Sequence, residues 1–274
     1  NQDRANSPSR PHTEQAKTAS IIPRDQHSLS RKQISQAALN IMYDLNRAGY
    51  EAYLVGGCIR DLLLGNTPKD FDVATNATPE QVHALFRRSR IVGRRFRIVH
   101  VRVGPEVIEV TTFRGAHTNE PTGKNANSHA NEQGMLLRDN VYGNMRDDAL
   151  RRDFTVNALY YTVDGFHLVD YTTGLDDLRT GTLRIIGEPE QRYREDPVRM
   201  LRAMRFAAKL GFELAPTTEK PIRQLGSLLS SVSPARLFDE AAKLFLTGHG
   251  KATFNQLREF ELLKPLLGRA AHPL

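Results

Sequence analysis

The chain has 274 residues, 39% of them hydrophobic, with 38 Lys and Arg against 31 Asp and Glu and a formal charge of +7. That length allows two domains with a buried core, and ordinary counts of 19 Gly and 14 Pro exclude collagen-like and wholly disordered chains. The single cysteine, Cys58, excludes an intrachain disulfide and a cysteine-rich zinc site.

The charge balance and the lone cysteine also bear on partners and location. An excess of positive charge favours a polyanionic partner, most often nucleic acid, although a basic enzyme of another kind has the same balance. One cysteine fits a reducing compartment, and we expect a cytoplasmic protein. No apolar run approaches the roughly 18 residues of a membrane helix, and no signal-peptide pattern opens the chain. Because the sequence starts at Asn1 and stops soon after a helical pattern, we expect a cut form.

Strand patterns crowd the first half of the chain. Residues 1–26 are polar and aperiodic, and we expect a disordered tail there. Helical spacing begins at Ser30, and Thr78 with Gln81 predicts a second helix with a capping box. Strands are predicted at 52–55 and 70–74, and in two hairpins, 97–103 with 107–113 and 158–163 with 166–169. The polar stretch 116–134 is predicted to be a long functional or unstructured loop.

Helical patterns fill the second half of the chain. They are predicted at residues 195–210, 217–229, 234–246 and 252–263. Strands first and helices afterwards indicate an α+β fold, in which a mixed sheet with helices precedes an all-α domain. We therefore divide the chain into a disordered tail at 1–26, a head at 27–180 and a helical domain at 181–274 that is truncated at its C-terminus.

Two carboxylates in the head are candidate metal ligands. Asp70 and Asp72 are two residues apart on a predicted strand, so their side chains share one face. Because like charges at this spacing repel, a cation between them is favoured, and an all-oxygen pair suits Mg²⁺ together with substrate phosphates. Such a site serves phosphoryl or nucleotidyl transfer. A solvated acidic pair at a strand end is the alternative for these residues taken alone.

A double glycine precedes the acidic pair and strengthens the phosphate interpretation. Gly56 and Gly57 lie between a strand and a helical turn, where a bare backbone can approach a phosphate. Arg60 follows with a planar fork of donors. A simple strand-to-helix turn would have the same pattern. No GxxxxGK[ST] or GxGxxG motif is present, so neither a P-loop nor a Rossmann site is indicated.

Four motifs in one order carry a family resemblance. They are residues 54–61, 70–72, 151–158 and 195–206. Together they resemble the class II polymerase-β-type nucleotidyltransferases, the family of tRNA nucleotidyltransferases and poly(A) polymerases. Stretches at 27–32, 92–97, 113–115 and 134–140 are most similar to the bacterial poly(A) polymerases within it. The resemblance implies a polymerase-β-like head followed by a helical neck and body.

The resemblance also implies roles in the head. Asp70 and Asp72 would be catalytic and hold Mg²⁺, for which Mn²⁺ could substitute, and Asp153 would be a further essential carboxylate. Glu109 is the alternative to Asp153 as the third carboxylate near the metal. It is otherwise an outward-facing strand residue. Contacts to the nucleotide are implied for Gly56, Gly57, Arg60 and Arg152. Arg151 is either part of that set or a surface charge.

A nucleotide-selecting helix is implied near residue 196. Three residues on successive turns of one helix would bind the nucleotide, namely Asp196, Arg199 and Arg202. Of these, Asp196 and Arg199 would read the base edge through their hydrogen bonds. Asp196 before Pro197 is also an ideal helix N-cap, which is the competing interpretation. Arg205 falls near the apolar stripe and is expected to form a structural ion pair.

The implied function is a template-independent polynucleotide adenylyltransferase. It would add AMP from ATP to RNA 3′ ends and release pyrophosphate. A CCA-adding tRNA nucleotidyltransferase, using CTP and ATP, is the alternative, and an inactive RNA-binding module is a third hypothesis that the intact carboxylates disfavour. The arginines at 87–88 and 94–97 form a basic cluster that would follow an RNA backbone. We expect no membrane span.

Overall fold

The computed structural model describes residues 18–93, 96–115, 128–130, 136–139 and 141–268. In those ranges the strands are β1 (Ser20–Ile22), β2 (Ala52–Val55), β3 (Asp72–Thr75), β4 (Ser89–Val92), β5 (Ile98–Val103), β6 (Glu106–Thr112), β7 (Ser128–Ala130), β8 (Leu136–Asp139), β9 (Leu159–Tyr161), β10 (Leu168–Asp170), β11 (Thr182–Leu183) and β12 (Glu213–Leu214). The α-helices are α1 (Gln36–Arg47), α2 (Gly57–Leu63), α3 (Pro79–Leu85), α4 (Met145–Arg151), α5 (Gly174–Thr180), α6 (Pro189–Glu195), α7 (Val198–Leu210), α8 (Pro216–Leu225), α9 (Pro234–Phe245), α10 (Gly250–Glu259) and α11 (Leu263–Leu267).

Eight of the described strands form one mixed sheet in the order β1-β10-β9-β2-β3-β6-β5-β4. All neighbours are antiparallel except β3 and β6, which run parallel. Outside this sheet, β11 pairs with β12 and β7 with β8. The first residue of β3, Asp72, lies between Val55 of β2 and Glu109 of β6. The pairing therefore places a predicted metal ligand in the middle of the sheet, beside a second carboxylate.

The two faces of the sheet have different coverings. Val73 belongs to the larger core, which also contains the apolar side of α1 and α2. Ala74 and Tyr160 belong to a smaller cluster on the opposite face, against Ala149 of α4. Since side chains alternate along a strand, Asp72 shares the α4 face with Ala74. We call this side of the sheet the catalytic face, after the catalytic role that the sequence predicts for Asp72.

The helices after β10 have a core of their own. It contains Phe154, Tyr193, Met204 and Phe206, with residues of α8 to α10. Leu63 of α2 packs against both this core and the main head core, and so joins the two parts. The predicted α+β class, a mixed sheet with helices followed by a helical part, is confirmed. None of the described residues belongs to a helix long and apolar enough to cross a bilayer.

Local sequence signals explain several element boundaries. Both halves of the predicted capping box form, since Thr78 accepts from the Gln81 amide and Gln81 from the Thr78 amide. Gly211 ends α7 with φ of +67°, a conformation that glycine adopts without strain. Both predicted hairpins are present, as β5 with β6 and β9 with β10.

Other boundaries differ from the predictions. Ser20–Ile22 of the expected tail form β1, because its backbone pairs with β10 at the sheet edge. The strand predicted at 70–74 is β3, which begins at Asp72, so Asp70 lies before the strand and not on it. The helix predicted at 195–210 begins only at Val198, as α7, and Glu195 is the last residue of the preceding α6, because a residue before proline, here Asp196, is steered away from helical geometry. Of the expected loop at 116–134, residues 116–127 and 131–134 lie outside the described residues.

Candidate active site

The carboxylates of the catalytic face repel one another. Asp72 and Glu109 are register partners on parallel strands, and Asp70 lies two residues before Asp72. Burial raises the pKa of Asp72 to about 6, helped by the charges of Glu109 and Asp70 and opposed by that of Arg152. His100 Nε2 lies 3.3 Å from Glu109 Oε1 on the other side. The arrangement concentrates negative charge that a cation would relieve.

The residues present fit a hard divalent cation with few protein ligands. Among the described residues, no three acidic, histidine or cysteine side chains converge closely enough to form a complete metal shell. Mg²⁺ usually takes one or two carboxylates and completes its shell with water and substrate phosphates. Asp72 and Asp70 supply that number of carboxylates, and the raised pKa of Asp72 shows a buried negative charge that is incompletely compensated.

Gly56 keeps the space between Asp72 and Arg152 open. Its φ is +81°, and a Cβ built there would lie 3.7 Å from Arg152 Nη1 and 3.9 Å from Asp72 Oδ2. A side chain at this position would therefore be strained in the backbone and would fill the gap between acid and guanidinium. Gly57 follows as the first residue of α2, and a Cβ there would lie 3.3 Å from Arg60 Nη2.

A buried hydrogen-bond network holds Arg152 at that gap. Arg152 Nη2 donates to Asp148 Oδ2 at 3.0 Å, and its Nε donates to Tyr160 Oη at 3.0 Å. Tyr160 Oη in turn donates to Asp148 Oδ2 at 2.6 Å. The Arg114 amide donates to the other oxygen, Asp148 Oδ1, at 3.1 Å. Arg152 is thus fixed on one side by α4 and β9 while its Nη1 lies beside Gly56.

Asp153 lies in a different environment from the carboxylates of the sheet. Arg202 donates to Asp153 Oδ2 through Nε at 2.8 Å and also through Nη2. The Phe154 amide and the Asn157 side chain donate to Oδ1 at 2.8 and 3.2 Å. Burial alone would raise the pKa of Asp153, but the charge of Arg202 and these hydrogen bonds lower it to about 2. Asp153 and Arg202 thus form a link between the head and α7, and Glu109 is the carboxylate beside Asp72.

Arg60 lies beside the double glycine and contacts partners within the chain. Its side chain is only 3% exposed. Nη1 donates to Asn157 Oδ1 at 2.7 Å, Nε and Nη2 donate to Asp61 Oδ1, and the guanidinium lies 5.2 Å from the centre of the Phe206 ring. Lys209 of α7 also contacts Asp61, at 3.5 Å. These contacts stabilise the junction between α2 and the helical part, and the nucleotide contact of Arg60 stays a prediction.

Several arginines converge where α4 meets α6 and α7. Arg192 Nη2 donates to the carbonyl oxygens of Arg151 and Arg152, the latter at 2.7 Å. Arg199 Nη1 donates to the Arg192 carbonyl at 2.8 Å and to Glu195 Oε2 at 3.2 Å. Burial and the charges of neighbouring arginines lower the pKa of Arg151 to about 9 and that of Arg192 to about 10. The excess of buried positive charge makes this region suited to an anionic ligand.

Asp196 is held by a residue from a distant helix. Arg236 Nη2, on α9, donates to both Asp196 carboxylate oxygens, at 3.1 and 3.0 Å. The cap residue of α7 is Pro197, and no side chain caps that helix, so the competing N-cap interpretation of Asp196 is not what the structure has. Arg205 forms the expected ion pair, with Nε 2.9 Å from Glu240 Oε1.

Four residues of this site were not predicted from the sequence. Asp148, Tyr160, Arg192 and Arg236 each fix a predicted site residue or its backbone. Asp148 could have been found from its spacing, since it lies four residues before Arg152 on one helix face. Arg236 carries no such signal, because 40 residues separate it from Asp196.

Two family models match the chain. Poly A polymerase head domain matches residues 52–184, and Probable RNA and SrmB-binding site of polymerase A matches residues 211–272. The first covers β2 to β10, with Asp72 and Glu109, and also Arg152 at the end of α4. The second begins at the end of α7 and covers the helices that follow.

Individual relatives agree with these matches. Poly(A) polymerase I of Salmonella typhimurium (strain LT2) is 58% identical over 246 residues, 90% of this chain and 53% of the relative. The CCA-adding enzyme of Lactobacillus johnsonii is 37% identical over 224 residues, 81% of this chain and 53% of the relative. The crystal structure of Bacillus stearothermophilus CCA-adding enzyme in complex with CTP superposes with a TM-score of 0.71 at 37% identity, covering 86% of this chain and 54% of that one. The chain spans about half the length of the curated relatives it matches, and it belongs to the tRNA nucleotidyltransferase and poly(A) polymerase family of polymerase-β-type nucleotidyltransferases.

Proposed function

We propose that this chain transfers AMP from ATP to the 3′ end of RNA without a template and releases pyrophosphate. The observation that carries the proposal is the open gap at Gly56, with the Asp72 carboxylate on one side and the Arg152 guanidinium on the other. Identity of 58% to Poly(A) polymerase I against 37% to a CCA-adding enzyme supports adenylate addition over CCA addition.

The carboxylates of the catalytic face would prepare the reacting groups. Asp70 and Asp72 would hold Mg²⁺, or Mn²⁺ in its place, with Glu109 as a third carboxylate beside them. When bound, the ion would supply charge neutralisation for the triphosphate and acidify the attacking hydroxyl. The RNA 3′ oxygen forms a bond to the α-phosphorus, the bond to the pyrophosphate oxygen breaks, and the hydroxyl proton is released.

Arg152 would place the triphosphate for this attack. Its Nη1 lies beside Gly56, where a phosphate can approach a bare backbone, and its remaining donors are held by Asp148 and Tyr160. A guanidinium that is already oriented loses little entropy when a phosphate binds, so more of the contact energy contributes to affinity. Gly57 would leave room for the same approach.

The start of α7 would read the base. Asp196 accepts and Arg199 donates, and both are fixed in place, by Arg236 and by Glu195 respectively. A rigid pair presents one hydrogen-bond pattern, and a base with a different edge would leave buried groups unpaired. We assign Arg202 to support of this helix through Asp153, and RNA binding to the helices from residue 211 onward, which match an RNA-binding family model.

Incorporation assays with single nucleotides test this proposal. ATP, CTP, GTP and UTP are offered separately with Mg²⁺ to a generic RNA and to a tRNA that lacks its CCA end. The proposal predicts a ladder of many added A residues on both RNAs and little use of CTP. Arrest after CCA on the tRNA, with efficient CTP use, would assign the chain to CCA addition instead.

A further inference from the structure

The catalytic face continues past the carboxylates to the edge of the sheet. Cross-strand pairing joins Asp72 to Glu109, Glu109 to His100, and His100 to Arg90 of β4. Paired residues on neighbouring strands point to the same side, and His100 lies 3.3 Å from Glu109 on that side. A single row of side chains therefore runs from the proposed metal site to the last strand.

Positively charged side chains occupy the outer part of this face. Arg102 lies two residues after His100 on β5 and so shares its face, while Val99 and Val101, which alternate with them along the strand, are buried in the core on the other face. The Arg102 amide donates to the Arg88 carbonyl at 2.8 Å, which places Arg88 beside Arg102. We call Arg88, Arg90 and Arg102 the arginine patch. All three are exposed.

The patch has no ion-pair partner in the part of the chain that the structure describes. Other arginines nearby do have one, since Arg97 pairs with Glu80 and Arg152 with Asp148. Surface arginines commonly sit beside acidic residues, whereas an unpaired group on one face is the electrostatic footprint of a polyanion. Of the basic cluster predicted from the sequence, Arg97 is therefore used in an ion pair within the chain, whereas Arg88 is left for a ligand.

The distance from the patch to the carboxylates suits a nucleic-acid strand whose end is at Asp72. Three strand-to-strand steps separate Arg90 from Asp72, about 14 Å at the usual strand spacing. A ligand that binds the patch and reaches the carboxylates must be elongated and must carry repeated negative charges. Single-stranded RNA with its 3′ end at the metal site meets both requirements, and its phosphates need no sequence-specific contact.

We propose that the arginine patch binds the phosphates of the RNA primer a few nucleotides before its 3′ end, on the exposed catalytic face of β4 and β5. This site in the head is separate from the helices at 211–272 that match an RNA-binding family model. The inference rests on the proposed function, because it takes the RNA 3′ end to lie at Asp72.

The kinetic test compares two double variants of the 274-residue chain. Arg90→Ala with Arg102→Ala removes two charges from the patch. The control, Arg47→Ala with Arg179→Ala, removes two exposed charges from α1, whose apolar residues pack on the opposite side of the sheet, and from α5, whose Leu175 packs against the same core. Steady-state rates are measured with an unstructured RNA and ATP over a range of salt concentrations.

For single strands, each phosphate contact contributes about 0.7 to the slope of log affinity against log salt, so two contacts contribute about 1.4. Relative to 1 M salt, where this contribution vanishes, losing both contacts should raise the RNA KM by about 25-fold at 0.1 M salt. That slope should become shallower by about 1.4, and the ATP KM should stay within twofold. The control should resemble the wild type. An RNA KM equal to that of the control would overturn the inference. A wild type that adds no AMP would instead overturn the proposed function.

A crosslink locates the contact directly. Cys58 is the only cysteine, and it is buried with its pKa raised to about 12, so an introduced cysteine is the sole reactive thiol. Arg90→Cys and the control Arg47→Cys are labelled with a photoactivatable azide and irradiated with RNA. The inference predicts crosslinks from position 90 to the last few nucleotides and none from position 47. Equal crosslinking from both positions would overturn it.

Discussion

The raised pKa of Asp72 predicts a measurable trade-off, in which the ionised carboxylate that would bind the metal lowers the stability of the folded chain. Burial and the nearby carboxylates raise its pKa from 3.8 to about 6 in the folded chain. The folded state therefore favours the protonated acid. The stabilisation of the folded state by protonated Asp72 is fully present below a pH of about 4 and is lost as the pH rises through about 6. At pH 8 the ionised side chain should cost about 3 kcal/mol of folding free energy, from about two pKa units at 1.36 kcal/mol each.

Asp72→Asn removes this cost and should make the metal-free protein more stable. We expect the free energy of unfolding to rise by up to about 3 kcal/mol at pH 8 in EDTA, and the difference to vanish near pH 4. Urea unfolding, followed by circular dichroism at several pH values, measures both. Mg²⁺ should stabilise the wild type more than the variant, because the variant lacks a charged ligand.

The matched control is Asp176→Asn, which removes the same charge from a side chain that is 78% exposed on α5. Its stability should stay within about 0.5 kcal/mol of the wild type at every pH. If Asp72→Asn is less stable than the wild type at pH 8 without metal, the carboxylate is better compensated than the structure indicates. A cation would then not be needed to compensate the carboxylates of the catalytic face.

Three further substitutions test the supporting contacts. Tyr160→Phe deletes two buried hydrogen bonds, one from Arg152 and one to Asp148, so we expect the ATP KM to rise about tenfold and the free energy of unfolding to fall by about 1–3 kcal/mol, and an unchanged KM would show that the network does not position the guanidinium. Arg236→Ala releases Asp196, and the preference for ATP over CTP in competition assays should fall at least tenfold, whereas an intact preference would exclude this role. Arg60→Ala breaks a buried pair and should cost about 3–5 kcal/mol in urea unfolding; full stability with a raised ATP KM would favour phosphate contact instead.

Most of the fold could be predicted from the sequence because its signals are local. The capping box at Thr78 and the alternation along β5 and β6 involve residues close in the chain. The boundaries that were missed depend on distant partners. β1 forms because its backbone pairs with β10, about 150 residues later in the chain, and the sequence of residues 20–22 alone does not indicate this pairing.

In the candidate site too, local motifs identify some residues, whereas the surroundings of others depend on distant partners. Asp72, Gly56 and Arg152 could be named from motifs, and the structure brings these three together. The expected nucleotide contact at Arg60 was inferred from its place after a double glycine. Its partner Asn157 is 97 residues away, so the sequence offered no sign that the guanidinium is buried.

The most direct test of the central claim is transfer of labelled AMP from ATP to an RNA primer by wild-type protein, Asp72→Asn and Asp176→Asn, with and without Mg²⁺. The account predicts a ladder of added A residues and matching pyrophosphate release for the wild type and Asp176→Asn, in Mg²⁺ only. Asp72→Asn should be folded and should lose activity by at least a thousandfold, on the order of 4 kcal/mol of transition-state stabilisation. Extension of the primer by Asp72→Asn at a rate near that of the wild type would contradict the account.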